Sequence, residues 1–315
     1  MKDRTDWVAI GGLSLLAALI FQTGALFLLF PAPLQFLRGK TDSRHFTIGC
    51  LVSAFFVAVI VGFRVLGAPD DLTGVALLDG LVPLGLIIAI WVLNEVRLPT
   101  GGRTAVLGLA GGLVGLMAIP SIVMLVESEV FRGQIASQIA AAEQAVADVS
   151  DGAGIVGMFG AEDMDDLVSA IWVRTFAGGF TVTLGVNYIL GSRLAGATDD
   201  RALERYRTPD WVPFALLFGL AGVVLEASFG LSAAGIVGWN VLVFSAAVFG
   251  AQGLGLLQFV VGANGTRPGR RALVPLALLV LLFLPVTGGL VLLGLPAAGI
   301  GEHWIKRRDR GMKAE

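Results

Sequence analysis

Charge is scarce in this sequence. Asp, Glu, Lys and Arg make up 15% of its 315 residues, where soluble globular chains carry about 25%. Cysteine occurs once, at Cys50, inside an apolar run. One thiol forms no internal disulfide, which excludes a disulfide-stapled secreted module, and no metal-ligand spacing surrounds it. Cys50 reads as a small apolar core residue. Histidine occurs twice, at His45 and His303, and neither belongs to an HExxH or comparable ligand spacing. No GxxxxGKS/T phosphate loop and no GxSxG elbow is present, which argues against ATP hydrolysis and serine-hydrolase chemistry. No catalytic, metal-binding or cofactor-binding residue is assigned. A nucleic-acid-binding domain and a disordered chain are excluded by the same composition.

What the sequence has instead is apolar surface. Residues of the AVILMFWYC set make up 56%, glycine adds 43 residues, and the mean hydropathy is +0.82. A soluble domain of this size has too little interior to hide that much. The composition predicts an all-α, polytopic transmembrane bundle in a single integral membrane domain spanning residues 1–315. Spans need about 20 mostly apolar residues. The clear candidates are Phe46–Leu66, Leu72–Val96, Thr104–Val126, Leu167–Leu190, Trp211–Phe229 and Ile236–Val261. Two stretches, Trp7–Leu37 and Ala272–Ile305, are too long for one span and carry helix-breaking Pro and Gly. Each is expected to form a hairpin, a re-entrant pair, or a span with an interfacial piece, giving eight to ten segments. The first apolar run is too long for a cleaved signal and reads as an uncleaved membrane segment.

Charge placement sets the expected orientation. If both long stretches cross twice, 19 of the 22 Lys and Arg residues fall on one side, together with both termini. By the positive-inside rule that side is the cytoplasm, and the bilayer is an inner membrane. The six tryptophans lie near span ends, as interfacial rings do. Between Val126 and Leu167 the outer side carries nine carboxylates against Arg132 alone. Within this 127–166 loop, Val130–Val149 has amphipathic helical spacing. The following cluster Glu162–Asp166 lacks a calcium-loop pattern and reads as solvated acid at a helix N-terminus.

Polar residues inside spans are expensive and face a bundle interior or a wet cavity. The charged ones are Asp79, Arg174 and Glu226, all expected in the outer half. Asn94, Asn187, Asn240, Gln252 and Gln258 accompany them. They read either as the floor of a small-molecule pocket or as structural ties between helices. Arg64 and Glu95 read as interfacial. The overlapping pairs Gly108/Gly112 and Gly111/Gly115 permit close helix approach.

Four segments carry a family likeness: Phe30-Pro31-Ala32-Pro33-Leu34, Arg207-Thr208-Pro209-Asp210-Trp211, Phe249-Gly250-Ala251-Gln252-Gly253-Leu254, and Leu292-Leu293-Gly294-Leu295 followed by Trp304-Ile305-Lys306-Arg307-Arg308. In order and spacing they resemble the YybS-like family of bacterial membrane proteins. That family is similar in span pattern to the S components of energy-coupling-factor transporters. The resemblance implies a bundle that binds a small molecule and docks on an energising membrane partner. It carries over no ligand residue, and only Ser14-xxx-Ala18 fits the docking pattern of such components. Two functions follow as expectations: a transporter-like small-molecule binder, or a non-catalytic subunit packed against other membrane proteins.

Overall fold

The computed structural model describes residues 2–22, 29–67, 80–98, 102–127, 161–197, 202–263, 281 and 285–305. These residues are all-helical: α1 (Lys2–Gln22), α2 (Ala32–Lys40), α3 (Ser43–Gly67), α4 (Leu81–Glu95), α5 (Gly102–Glu127), α6 (Ala161–Leu194), α7 (Ala202–Arg205), α8 (Val212–Phe229), α9 (Ser232–Ala263) and α10 (Pro285–Ile305). Four stretches are long and apolar enough to cross a membrane: Ser43–Gly67, Gly102–Pro120, Val212–Phe229 and Ser232–Val261. Three shorter apolar helices, Trp7–Gln22, Leu81–Glu95 and Gly289–Ile305, join them.

The outside of the bundle is apolar. Leu51, Phe55, Phe63 and Leu66 of α3, and Phe214, Leu217, Phe218 and Phe229 of α8, are all exposed. A soluble protein rarely exposes a continuous apolar surface of this extent; lipid tails make it favourable. Inside, a core of Phe30, Leu34, Phe46, Leu86, Ile90, Val114 and Leu184 ties the first six helices together.

Helix directions follow from a few contacts. Trp7 packs on His45 at the starts of α1 and α3. Arg64 donates to the Gln22 side-chain oxygen at 2.8 Å, at their ends. The two helices are therefore parallel, and the chain between them returns to its starting side. The first long stretch, Trp7–Leu37, thus comes back to its starting side with α2 as its last leg, as a hairpin or a re-entrant pair would. At 1.5 Å per residue α2 covers only about 13 Å, under half a membrane core. Residues 23–28 lie outside the described residues.

The last stretch takes a different course. A double crossing of 272–305 would leave α10 parallel to α9. Instead Gly253 abuts Leu295, and Phe249 abuts Gly299 and His303, so the pair is antiparallel. Pro285 opens α10, a first-turn position that needs no N–H, and Pro296 lies within the helix.

Between α5 and α6 the packing uses one of the two glycine pairs. Gly111 lies on Thr181 and Gly115 on Ala177, while Gly108 meets Phe244 of α9 and Gly112 meets nothing. The acidic cluster Glu162–Asp166 falls in the first turns of α6, which starts at Ala161. The expected amphipathic helix Val130–Val149 lies outside the described residues.

Candidate functional site

At one end of the bundle α6, α8 and α9 meet. Glu226 stands in the last turn of α8, where left-handed Gly230 caps the helix and turns the chain into α9. Arg174, on α6, faces it. Its Nη2 donates to Oε1 at 2.7 Å, and its Nε reaches Oε1 at 3.2 Å and Oε2 at 3.4 Å. Both nitrogens thus converge on Oε1, in a charge-assisted bond approached from the side of the guanidinium. The Trp239 side chain also hydrogen-bonds the carboxylate. Gly235 provides the seat: a Cβ there would fall on the Glu226 carboxyl group. The Arg174 side chain is 33% exposed and that of Glu226 17%, so the pair is partly reachable from its end of the bundle.

One turn along α9 from Gly235, Asn240 closes the same junction. Its Oδ1 accepts the backbone N–H groups of Ala177 (2.8 Å) and Gly178 (3.0 Å), and its Nδ2 donates to the Ile236 carbonyl at 2.9 Å. Two α6 amides just past Arg174 thus bond to a neighbouring helix. The approach is close because Gly178 has no side chain: a Cβ would meet Val243 and the Asn240 carbonyl.

Of the polar residues singled out from the sequence, the structure joins Arg174, Glu226 and Asn240 and separates the others. Asn187 is buried lower on α6 and donates to the Thr183 carbonyl at 2.7 Å. Gln252 is buried far along α9. Its Oε1 accepts the Thr208 N–H at 2.7 Å, and its Nε2 donates to the Gly299 carbonyl at 3.2 Å. It binds the Arg207–Trp211 corner to α10. Asp79 lies outside the described residues, as does most of the acidic loop. Among the described residues no group of three or more His, Cys, Asp and Glu is placed to hold a metal.

Sequence reasoning missed a second polar junction at the opposite end. Gln35 of α2 and Asn94 of α4 exchange amide hydrogen bonds at 2.7 and 3.3 Å, and Gln35 also donates to Ser192 of α6 at 2.9 Å. Beside it Arg38 pairs with Glu95 at 3.1 Å, and Ser43 donates to Glu95 at 2.5 Å. The available signal was Gln35 itself, an amide within the apolar segment from Phe30 to Leu37. Around this junction the described basic residues gather. Arg38 and Lys40 end α2, Arg44 begins α3, Arg97 follows α4, Arg103 begins α5, and Arg193 ends α6. Arg103 lies over Tyr188, Thr104 bonds Tyr206 at 3.3 Å, and His303 comes within 3.9 Å of Asp210. The chain is a bundle of apolar helices with a basic end and, opposite it, an ion pair between α6 and α8.

No protein-family model, curated protein or solved structure matches the chain.

Proposed function

We propose that this chain is a multi-spanning inner-membrane protein, YybS-like and similar to transporter S components, whose bundle binds or moves a small molecule at the Arg174–Glu226 junction. The observation that carries the proposal is the forked ion pair itself. It is set between helices of membrane-spanning length, partly exposed, and built on a glycine seat. Ionisable groups within spans are costly and are retained where a polar ligand or a charge movement uses them. The pair lies away from the basic end, so by the positive-inside rule it opens toward the outside. The proposal includes no reaction and no cofactor.

A second reading is a non-catalytic subunit of a larger membrane assembly. It is favoured by the way Gln252, Asn240 and the Gln35–Asn94–Ser192 group spend their polar atoms on ties between helices. Purification of the full chain in mild detergent, followed by native mass spectrometry, separates the two. A retained small molecule that Arg174→Ala loses supports the first. Stoichiometric protein partners, with no small molecule in either form, overturn it in favour of the second.

A further inference from the structure

We propose that the corner where the start of α5 meets α6 and α7 seats the headgroup of an anionic phospholipid. Arg103 and the Thr104–Tyr206 hydroxyl pair hold its phosphate, and an acyl chain runs down the outer face of α5. The seat draws on residues other than the Arg174 junction and stands whether or not that junction binds a small molecule.

Arg103 opens α5 and is exposed. Its guanidinium lies over the Tyr188 ring of α6, 5.3 Å from the centroid. A cation–π contact holds the head in place and spends none of its N–H donors. Among the described residues no carboxylate pairs with it. Glu95, at the end of α4, is held by Arg38 and Ser43. Glu127 of α5 and the carboxylates of α6 sit at the far ends of those helices. On the corner itself Glu204 and Asp210 stand with Arg205 and Arg207, while Arg97 and Arg193 close α4 and α6 nearby, so cations are in excess. Asp199, Asp200 and Arg201 lie outside the described residues. A zwitterionic headgroup brings a cation of its own into this excess; a headgroup with net negative charge does not.

Thr104 supplies the second part of the seat. Its hydroxyl and that of Tyr206 share one hydrogen bond at 3.3 Å, so one hydroxyl hydrogen of the pair is left to donate. Tyr188 and Tyr206 are the chain's two tyrosines, and both come to this turn of α5. Rings with an apolar body and a polar tip gather at headgroup level. The approach is open, since a Cβ on Gly102 would meet nothing within 4 Å. Further down α5, Leu109, Leu113 and Leu116 form an exposed stripe at helical spacing. Positive charge at the head of a helix and an uncovered apolar stripe along it fit a lipid, whereas a soluble anion uses only the first.

Lipid binding by the full chain in non-ionic detergent, read by native mass spectrometry and by tryptophan-detected melting, tests the seat. Dioleoyl phosphatidylglycerol is expected to remain as a discrete one-lipid adduct and to raise the melting midpoint more than dioleoyl phosphatidylcholine at the same concentration. Arg103→Ala is expected to weaken the phosphatidylglycerol affinity by about tenfold, and Tyr206→Phe by about fivefold. Arg103→Gln repeats the test should the Ala form not fold. Arg44→Ala, which removes an exposed charge elsewhere at the same end, is expected to leave the affinity nearly unchanged. Equal losses from Arg103→Ala and Arg44→Ala would reduce the effect to the general charge of this end and overturn the proposal. Equal retention of the two lipids, or a midpoint rise that inorganic phosphate alone reproduces, would overturn it too. An adduct that Arg174→Ala removes and Arg103→Ala does not would belong to the Arg174 junction and count against a seat at α5.

Discussion

Single polar side chains in this bundle do work that water and loops do in soluble proteins. Gln252, 1% exposed, supplies an acceptor to the Thr208 N–H and a donor to the Gly299 carbonyl, two groups that hydrocarbon would leave unsatisfied at several kcal/mol each. At the basic end the same economy sets a helix start. Asp42 precedes α3 and its Oδ1 accepts the His45 N–H at 2.9 Å, with the His45 ring at 2.7 Å. These hydrogen bonds, the backbone one first, hold the Asp42 carboxyl below the usual carboxylate range. A carboxyl whose acidity is raised by folding stabilises the fold above its unfolded value, and that contribution disappears as pH falls through the folded one. Asp42→Ala is therefore expected to lower the unfolding midpoint at neutral pH and to differ little from the parent chain below about pH 3. Tryptophan-detected melting of the detergent-solubilised chain at the two pH values checks this; a deficit that persists in acid would mean that the side chain acts otherwise than as an anionic cap.

Elements meet in this fold where side chains are absent. Gly111 and Gly115 admit Thr181 and Ala177, Gly222 and Gly238 bring α8 onto α9 backbone to backbone, and Gly253 and Gly299 do the same for α9 and α10. Close approach of this kind holds membrane helices together where no hydrophobic drive exists between them. Gly253→Val, which pushes a branched side chain into the Leu295 carbonyl, is expected to destabilise the chain by about 1–3 kcal/mol. Gly112→Val, beside open space, is expected to cost little. Thermal melts of the two variants side by side test it, and equal losses would show that α9 and α10 do not pack as described. The sequence offered both overlapping glycine pairs without ranking them, because a repeat of small residues says which face is narrow and not what comes against it. The span pattern was legible, since 20 apolar residues in a row have few alternatives. So was the pairing of Arg174 with Glu226 as a geometric possibility, from their similar depth. The course of the last stretch was not: Pro285 and Pro296 look like breaks until the structure shows one opening a helix and the other inside it. The Gln35–Asn94–Ser192 junction was illegible for a related reason, as its members are 59 and 157 residues from Gln35 in the chain.

For the whole molecule the decisive quantity is where charge sits along the bundle axis. Five elements, α2 to α6, carry Arg or Lys at or next to the terminus on one end, and the described charges away from it are Arg64, Glu127, the carboxylates of Glu162–Asp166, Arg174 and Glu226. Contacts from α1 to α6, and on to Tyr206, fix that grouping independently of any membrane: Trp7 on His45, Arg38 on Glu95, Gln35 on Ser192, Thr104 on Tyr206. A short basic loop is retained in the cytoplasm during insertion, which predicts that the grouped end faces inward and that the turn from α8 to α9, next to Glu226, faces outward. The native thiol Cys50 is buried, which makes the chain suited to accessibility mapping once Cys50→Ser removes it. Arg44 and Arg97 are exposed at the basic end and Ser232 at the other. In intact cells a membrane-impermeant maleimide is expected to label Ser232→Cys and to leave Arg44→Cys and Arg97→Cys unlabelled; in inverted vesicles the pattern reverses. Labelling of all three from one side would mean that the two ends of the bundle do not lie on opposite faces of a bilayer. The reversed pattern in intact cells would keep the bundle and invert its orientation, turning the Arg174–Glu226 junction toward the cytoplasm and its ligand with it.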